Sequence, residues 1–183
     1  MTPVARAFAL LAALALSACA ELERVGPQED VEFELAGRIA VRYREEAASG
    51  NVAWRHARDT DELLITSPVG SVVARLVRDD TGFLLTTSDK RELRADDAEA
   101  LTEQALGFRL PLAGLADWVR ARPVAGQPAV LVRDAQGRPA SLEQSGWRIE
   151  YQETRADGLP TRLKLSYPGI DLRLAIHEWK AAR

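Results

Sequence analysis

The sequence is poor in the residues that carry most protein chemistry. It holds one cysteine, two histidines and one methionine. A lone cysteine excludes an internal disulfide and any cysteine-clustered metal site. The histidines, His56 and His177, have no partner at metal-ligand spacing. Each sits near the end of a predicted strand and is expected to face solvent. His56 lies among Arg55, Ala57 and Arg58, and His177 is out of phase with the apolar face around it. Gly70-Ser71 and Ser145-Gly146 do not form a G-x-S-x-G nucleophile elbow. Gly26, Gly37, Gly50, Gly70 and Gly82 are dispersed, so no phosphate-cradling loop is expected. The pairs Asp79-Asp80 and Asp96-Asp97 suit a turn and a helix N-terminus, where the helix dipole favours acids. Basic residues are scattered among acidic ones at a net charge of -3, so a nucleic-acid partner is not expected. An enzyme, a metal and a cofactor all lack support.

What is present begins at the N-terminus. Arg6 is the sole charge among the first eighteen residues, and Ala7 to Ala18 read AFALLAALALSA. A basic start, a short apolar run and small residues at its end mark a secretory signal. The run falls short of the roughly 20 residues a membrane helix needs. Leu16-Ser17-Ala18-Cys19 is similar to a bacterial lipobox, in which the chain is cut before a lipidated cysteine. We expect a signal peptide at 1–18 and an N-palmitoyl, S-diacylglycerol cysteine at Cys19. A tether follows to residue 30, and a single domain covers 31–183. An ordinary signal peptide with a stray cysteine is the alternative. The absence of a twin-arginine start points to general secretion. Ala20, where an aspartate retains lipoproteins at the inner membrane of enteric-type bacteria, points to the outer membrane.

From Val31 the pattern alternates. Phe33, Leu35, Ile39, Val41 and Tyr43 share one face, and Glu32, Glu34, Arg38, Arg42 and Arg44 the other. That period of two predicts a half-buried strand. The spacing predicts a turn in EEAASGN, then strands at Val52–Trp54, LLIT, VVARLV and FLLTT, with a short one at Arg91–Arg94. Helical period appears only in the middle. Asp96 and Glu99 have capping-box spacing, with an apolar side at Ala98, Leu101, Thr102 and Ala105 and a stop at Gly107. A second helix is expected after Pro111, with Leu112, Leu115, Ala116 and Val119 as its stripe and Pro123 ending it. Strands return in AVLVR, ASLEQ, WRIEYQE, TRLKLSY and IDLRLAI. Many short alternating strands predict a mainly β sandwich or barrel, with two helices able to cover an open end.

Trp54, Trp118, Trp147 and Trp179 either fill an ordinary core or line an apolar cavity suited to an acyl chain. Pro68-Val69-Gly70 is either a turn with Val69 folded back or an exposed apolar tip.

Together these residues resemble the LolB family of outer-membrane lipoprotein receptors. The resemblance runs from Phe33 to Trp179. It is strongest in FELAGRIAV (33–41), SPVGS (67–71), ADDAEALTEQALGFRLPLAGLADWV (95–119) and GWRIEYQE (146–153). It implies an incomplete, unclosed antiparallel β-barrel with an α-helical lid over an apolar cavity. It implies a monomer that accepts acyl chains of client lipoproteins from the periplasmic carrier LolA and passes them to outer-membrane lipid without a cofactor. Trp54, Leu101, Leu115, Trp118 and Trp147 are then the candidate cavity lining. Pro68, Val69 and Gly70 match the family's membrane-transfer loop, with Val69 standing where the family has leucine. A packed structural lipoprotein without cargo, and a lipid-anchored periplasmic hydrolase, are the alternatives.

Overall fold

The alternating pattern becomes a chain of hairpins. The structure, a computed structural model, describes residues 30–106, 109–110 and 112–181. The expected signal peptide, Cys19, the tether up to Glu29, and the helix boundaries at Gly107 and Pro111 lie outside the described residues. The elements are β1 (Val31–Tyr43), β2 (Glu46–Ala57), β3 (Asp61–Thr66), β4 (Val72–Asp79), β5 (Gly82–Thr87), β6 (Glu92–Ala95), α1 (Ala98–Leu106), α2 (Leu112–Trp118), β7 (Ala129–Arg133), β8 (Pro139–Gln144), β9 (Trp147–Thr154), β10 (Pro160–Tyr167) and β11 (Ile170–Ala181).

The eleven strands form one sheet in the order β6-β5-β4-β3-β2-β1-β11-β10-β9-β8-β7. Neighbours are sequential everywhere except at β1–β11, where the two long strands join the halves. The free edges are β6 and β7, and the helices occupy the chain between them. The sheet is therefore an antiparallel barrel left open where the helices interrupt it.

Register sets the inner face. In one half the inward row runs Leu35, Trp54, Leu63, Leu76, Leu85, Leu93 across six strands. In the other it runs Val41, Leu172, Leu165, Ile149, Leu142, Leu131. Every buried apolar residue of the core cluster lies between Phe33 and Ile176. Two glycines let the sheet coil tightly near its middle. A β-carbon at Gly37 would lie 2.4 Å from the Ala175 carbonyl oxygen, and one at Gly50 would lie 2.3 Å from that of Thr66. Only glycine permits backbones to approach so closely.

Three local readings are corrected. The first turn is Arg44-Glu45, with Arg44 at a φ of 55°, so most of EEAASGN is strand β2 rather than turn. Pairing with β1 carries these small residues into the ladder despite their weak strand preference. The α1 cap is Asp97, not Asp96: its Oδ1 accepts from Ala100 N at 2.6 Å. Helix α2 ends at Trp118, before Pro123. Ala121 takes a φ of 57°, and Arg122 N donates to the Asp117 carbonyl at 3.0 Å, a Schellman closure made without glycine. The short strand expected at Arg91–Arg94 is Glu92–Ala95, β7–β10 fall where the pattern placed them, and β11 runs on past Ile176 to Ala181.

His177 is exposed, as expected, and is the extra residue of a bulge: Gly37 pairs with Ile176 while Ala36 pairs with Glu178. The step turns Trp179 inward, where its Nε1 donates to the Pro160 carbonyl at 2.8 Å.

Candidate functional site

The inner face is not covered evenly. Leu142, Ile149, Leu163 and Leu165 are wholly buried beneath the C-terminal half. In the N-terminal half only Leu76 of the β3–β6 inner row is buried, while Leu63, Ile65, Phe83, Leu85 and Leu93 stay partly open. These five form an apolar slope on the side of the sheet where α1 rests.

The two helices are held differently. Helix α2 is pinned to the closed half. Trp118 Nε1 donates to Gln144 Oε1 at 2.9 Å, and Tyr151 Oη donates to the Trp118 carbonyl at 3.0 Å. Gln144 also accepts from Val124 N at 2.8 Å and donates to the Val124 carbonyl at 3.0 Å, so this buried amide is fully used. Burial raises the Tyr151 phenol well above its usual range, so it remains a donor. Arg120, just past α2, pairs with Glu32 at 2.6 Å and lies over the Phe33 ring. Hydrogen bonding from Arg120 holds the Glu32 carboxyl below its ordinary value.

Helix α1 makes no such bonds to the sheet among the described residues. Thr102 Oγ1 accepts from Leu110 N at 2.8 Å and Arg109 Nε meets Glu103 at 2.8 Å, both within the helical segment. Its hold on the sheet is apolar, through Ala98 and Leu101.

The five candidate lining residues are brought into one core cluster. Leu101 and Leu115 approach from the helices, and Trp54 from β2. Trp118 and Trp147 pack with ring centroids 6.2 Å apart. Trp54 Nε1 donates to Asp61 Oδ1 at 2.8 Å and its ring meets Phe33 edge-on.

His56 corrects an expectation. It is buried, not solvent-facing, and its Nδ1 lies 2.6 Å from Asp61 Oδ1. Arg78 Nε donates to Asp61 Oδ2 at 2.5 Å, so one carboxylate gathers β2, β3 and β4. Burial works to raise the Asp61 carboxyl, but hydrogen bonds from His56, Trp54 and Arg78 outweigh it and leave the group below its ordinary value. His56 was readable: it continues the inward phase of Val52 and Trp54, as Gln144 continues that of Leu142. A polar residue in an apolar phase marks a buried hydrogen-bonding anchor.

Among the described residues, no group of three metal-ligating side chains occurs and no helix is long and apolar enough to cross a membrane. The Pro68-Val69-Gly70 loop projects from the β3–β4 turn, closed by Ser67 N to the Ser71 carbonyl at 2.7 Å. Val69 is 88% exposed, and Val72 and Val73 beside it are also exposed, so the loop is an apolar tip and not a turn folded onto the core.

Known proteins agree with this architecture. A family model described as outer membrane lipoprotein LolB matches residues 31–179. An outer-membrane lipoprotein LolB from Thiobacillus denitrificans is 39% identical, covering 97% of this chain and 99% of that protein. One from Azoarcus sp. is 40% identical, covering 98% of each. Among solved structures, a LolA superfamily protein from Nitrosomonas europaea shares the fold at a TM-score of 0.50 and 12% identity, covering 86% of this chain and 88% of that one. The chain belongs to the outer membrane lipoprotein LolB family.

Proposed function

We propose that this outer membrane lipoprotein receives the acyl chains of other lipoproteins between α1 and the open slope of β3–β6, and passes them to the outer membrane. One observation carries the reading: Leu142, Ile149, Leu163 and Leu165 are wholly buried in one half, the β3–β6 row of the other is left partly uncovered, and the helix above that row makes no hydrogen bond to the sheet among the described residues. An acyl chain in water costs about 0.8 kcal/mol per methylene. Shelter therefore has to be continuous from donor to acceptor. Displacing α1 exposes Leu63, Ile65, Phe83, Leu85 and Leu93 without breaking the buried hydrogen bonds that fix α2 to the closed half. Trp54, Leu101, Leu115, Trp118 and Trp147 bound the inner end of the space so formed.

The donor is a soluble periplasmic carrier of the LolA type, and the chain acts as a monomer. Cys19 carries the lipid that tethers the domain, through residues 19–30, to the periplasmic side of the outer membrane. Val69 enters the bilayer surface during delivery. Valine offers one methylene fewer than the family's leucine, about 0.8 kcal/mol less if fully buried, and the exposed Val72 and Val73 add to the same patch. No bound energy source is invoked, so transfer runs downhill. The chain then binds a given client more tightly than the carrier does.

The test is transfer of an acylated client from purified carrier to the chain beginning at residue 20, which retains the whole core. Capture of the client supports the reading, and no capture sinks it. A packed lipoprotein without cargo is favoured by the complete burial of Leu101 and near-complete burial of Trp118. Tighter hold by the carrier than by this chain removes the downhill step.

A further inference from the structure

We propose that the outer face of the sheet carries a binding site for the phosphates of anionic lipid headgroups, placed beside the apolar tip. The proposal rests on the reading of Val69 as membrane-facing, but it concerns different residues and a different force.

A cleft of about 720 Å³ crosses the outer face, lined among others by Arg38, Arg162, Lys164, Arg173 and Pro68. The net charge of the chain is -3, so a cluster of cations here runs against the overall balance. Lys164 and Arg173 are direct cross-strand partners on β10 and β11. Like charges placed opposite each other destabilise a sheet, so the fold tolerates this pair at a cost. Arg162 and Lys164 are partly offset by Glu153 and Asp171, each 3.5 Å away. Arg38 and Arg173 make no ion pair among the described residues. Guanidinium groups suit phosphate because their planar donors match its oxygens.

The location decides the occupant. Arg38 pairs with Asn51, and Asn51 pairs with Thr66 at the base of the loop. Asn51 Nδ2 donates to the Ser67 carbonyl at 3.2 Å, tying the cationic row to the tip. Pro68 belongs to both the cleft and the loop, and the exposed valines 69, 72 and 73 adjoin it. An apolar wedge continuous with a cationic cleft matches a bilayer surface, where acyl chains lie under a layer of phosphates. An acidic protein surface would engage the cations but leave the valines unmatched. The cleft would hold the domain against the membrane while the tip enters it, so that delivery faces the bilayer.

The test uses the chain from residue 20, without its own lipid, in sedimentation with phosphatidylcholine vesicles. In a second set, a third of the lipid is phosphatidylglycerol. The native chain is expected to prefer the anionic vesicles, and added salt to erase the preference. Arg38→Gln with Arg173→Gln is expected to lower binding to anionic vesicles about thirty-fold, at roughly one kcal/mol per basic residue. Its binding to neutral vesicles should not change. Arg91→Gln with Arg94→Gln, on the far strands, should leave both unchanged. A Val69→Glu variant should lose binding to both vesicle types; if it does not, the tip reading fails while the cleft stands. Unaltered binding of the double variant to anionic vesicles overturns the proposal. So does an equal loss on neutral vesicles, displacement by soluble glycerol phosphate at matched phosphate concentration, or a double variant that keeps vesicle binding but no longer receives clients from the carrier.

Discussion

Leu85 and Leu165 occupy the same kind of position. Each faces inward from the middle of a strand in an alternating row. Leu165 is wholly buried, whereas Leu85 stays partly open. The neighbours differ. The C-terminal half is covered by α2, whose end is fixed through Gln144, Tyr151 and Arg120. The N-terminal half has α1, which makes no hydrogen bond to the sheet among the described residues. One half is therefore built to be stable, and the other keeps apolar surface available. The proposed function needs both: a slope that can open has to be carried by a frame that does not.

The largest expected effect comes from breaking the closed half. Trp118→Ala removes a buried indole and one of the hydrogen bonds to Gln144 Oε1, and should cost about 3–5 kcal/mol in chemical denaturation. A cost under about 1 kcal/mol would mean that α2 is not the fixed helix. Next comes the buried network under the open half. Asp61→Asn should cost on the order of 3 kcal/mol at neutral pH, since it removes one partner of a buried charge pair. It should also change the pH profile. The Asp61 carboxyl lies below its ordinary value of 3.8, so its contribution is present above that value and lost as pH falls toward the lower folded one. Acid unfolding of the variant should be less steep below about pH 4. Identical profiles would remove Asp61 as a source of acid sensitivity.

Leu85→Ala should cost about 1–2 kcal/mol, less than Leu165→Ala at about 2–5, because less surface returns to water. Yet Leu85→Ala should weaken client capture more. Equal costs with equal capture would erase the distinction between the halves. The smallest stability effect is expected at Val69. Val69→Glu should change stability by less than about 0.5 kcal/mol, as exposed sites usually do. Delivery to membranes should fall while capture persists, a split that a transfer assay in two stages reads directly. Amide hydrogen exchange offers an independent check, with slower exchange in β9–β11 than in α1, β5 and β6.

The strands were legible because alternation is a local signal. Phe33, Leu35, Leu163 and Leu172 point inward as their phase requires. The helices were legible from their stripe and spacing. The first turn was misread because EEAASGN has turn composition, and only pairing with β1 makes it strand. His56 was misread because its basic neighbours suggested solvent, while its phase with Trp54 pointed to burial. Trp179 was expected on the inside, but the bulge at His177 that turns it there left no mark in the pattern. The apolar tip was one of two open readings, and its exposure follows from how the loop leaves the sheet.

The sequence by itself determined the strands, their inward faces, the two helices and the family, because each rests on local period or on a run of matched residues. It also placed the helices between β6 and β7, whereas the strand order of the folded sheet made those two strands its free edges. Tertiary structure alone decided which half is sealed. Coverage depends on how α2 is bonded across the sheet, through residues as distant as Trp118 and Gln144, and on backbones that meet at Gly37 and Gly50. The gathering of Arg38, Lys164, Arg162 and Arg173 beside Pro68 was decided there too. Residues far apart in the chain share a surface only once register has aligned their strands.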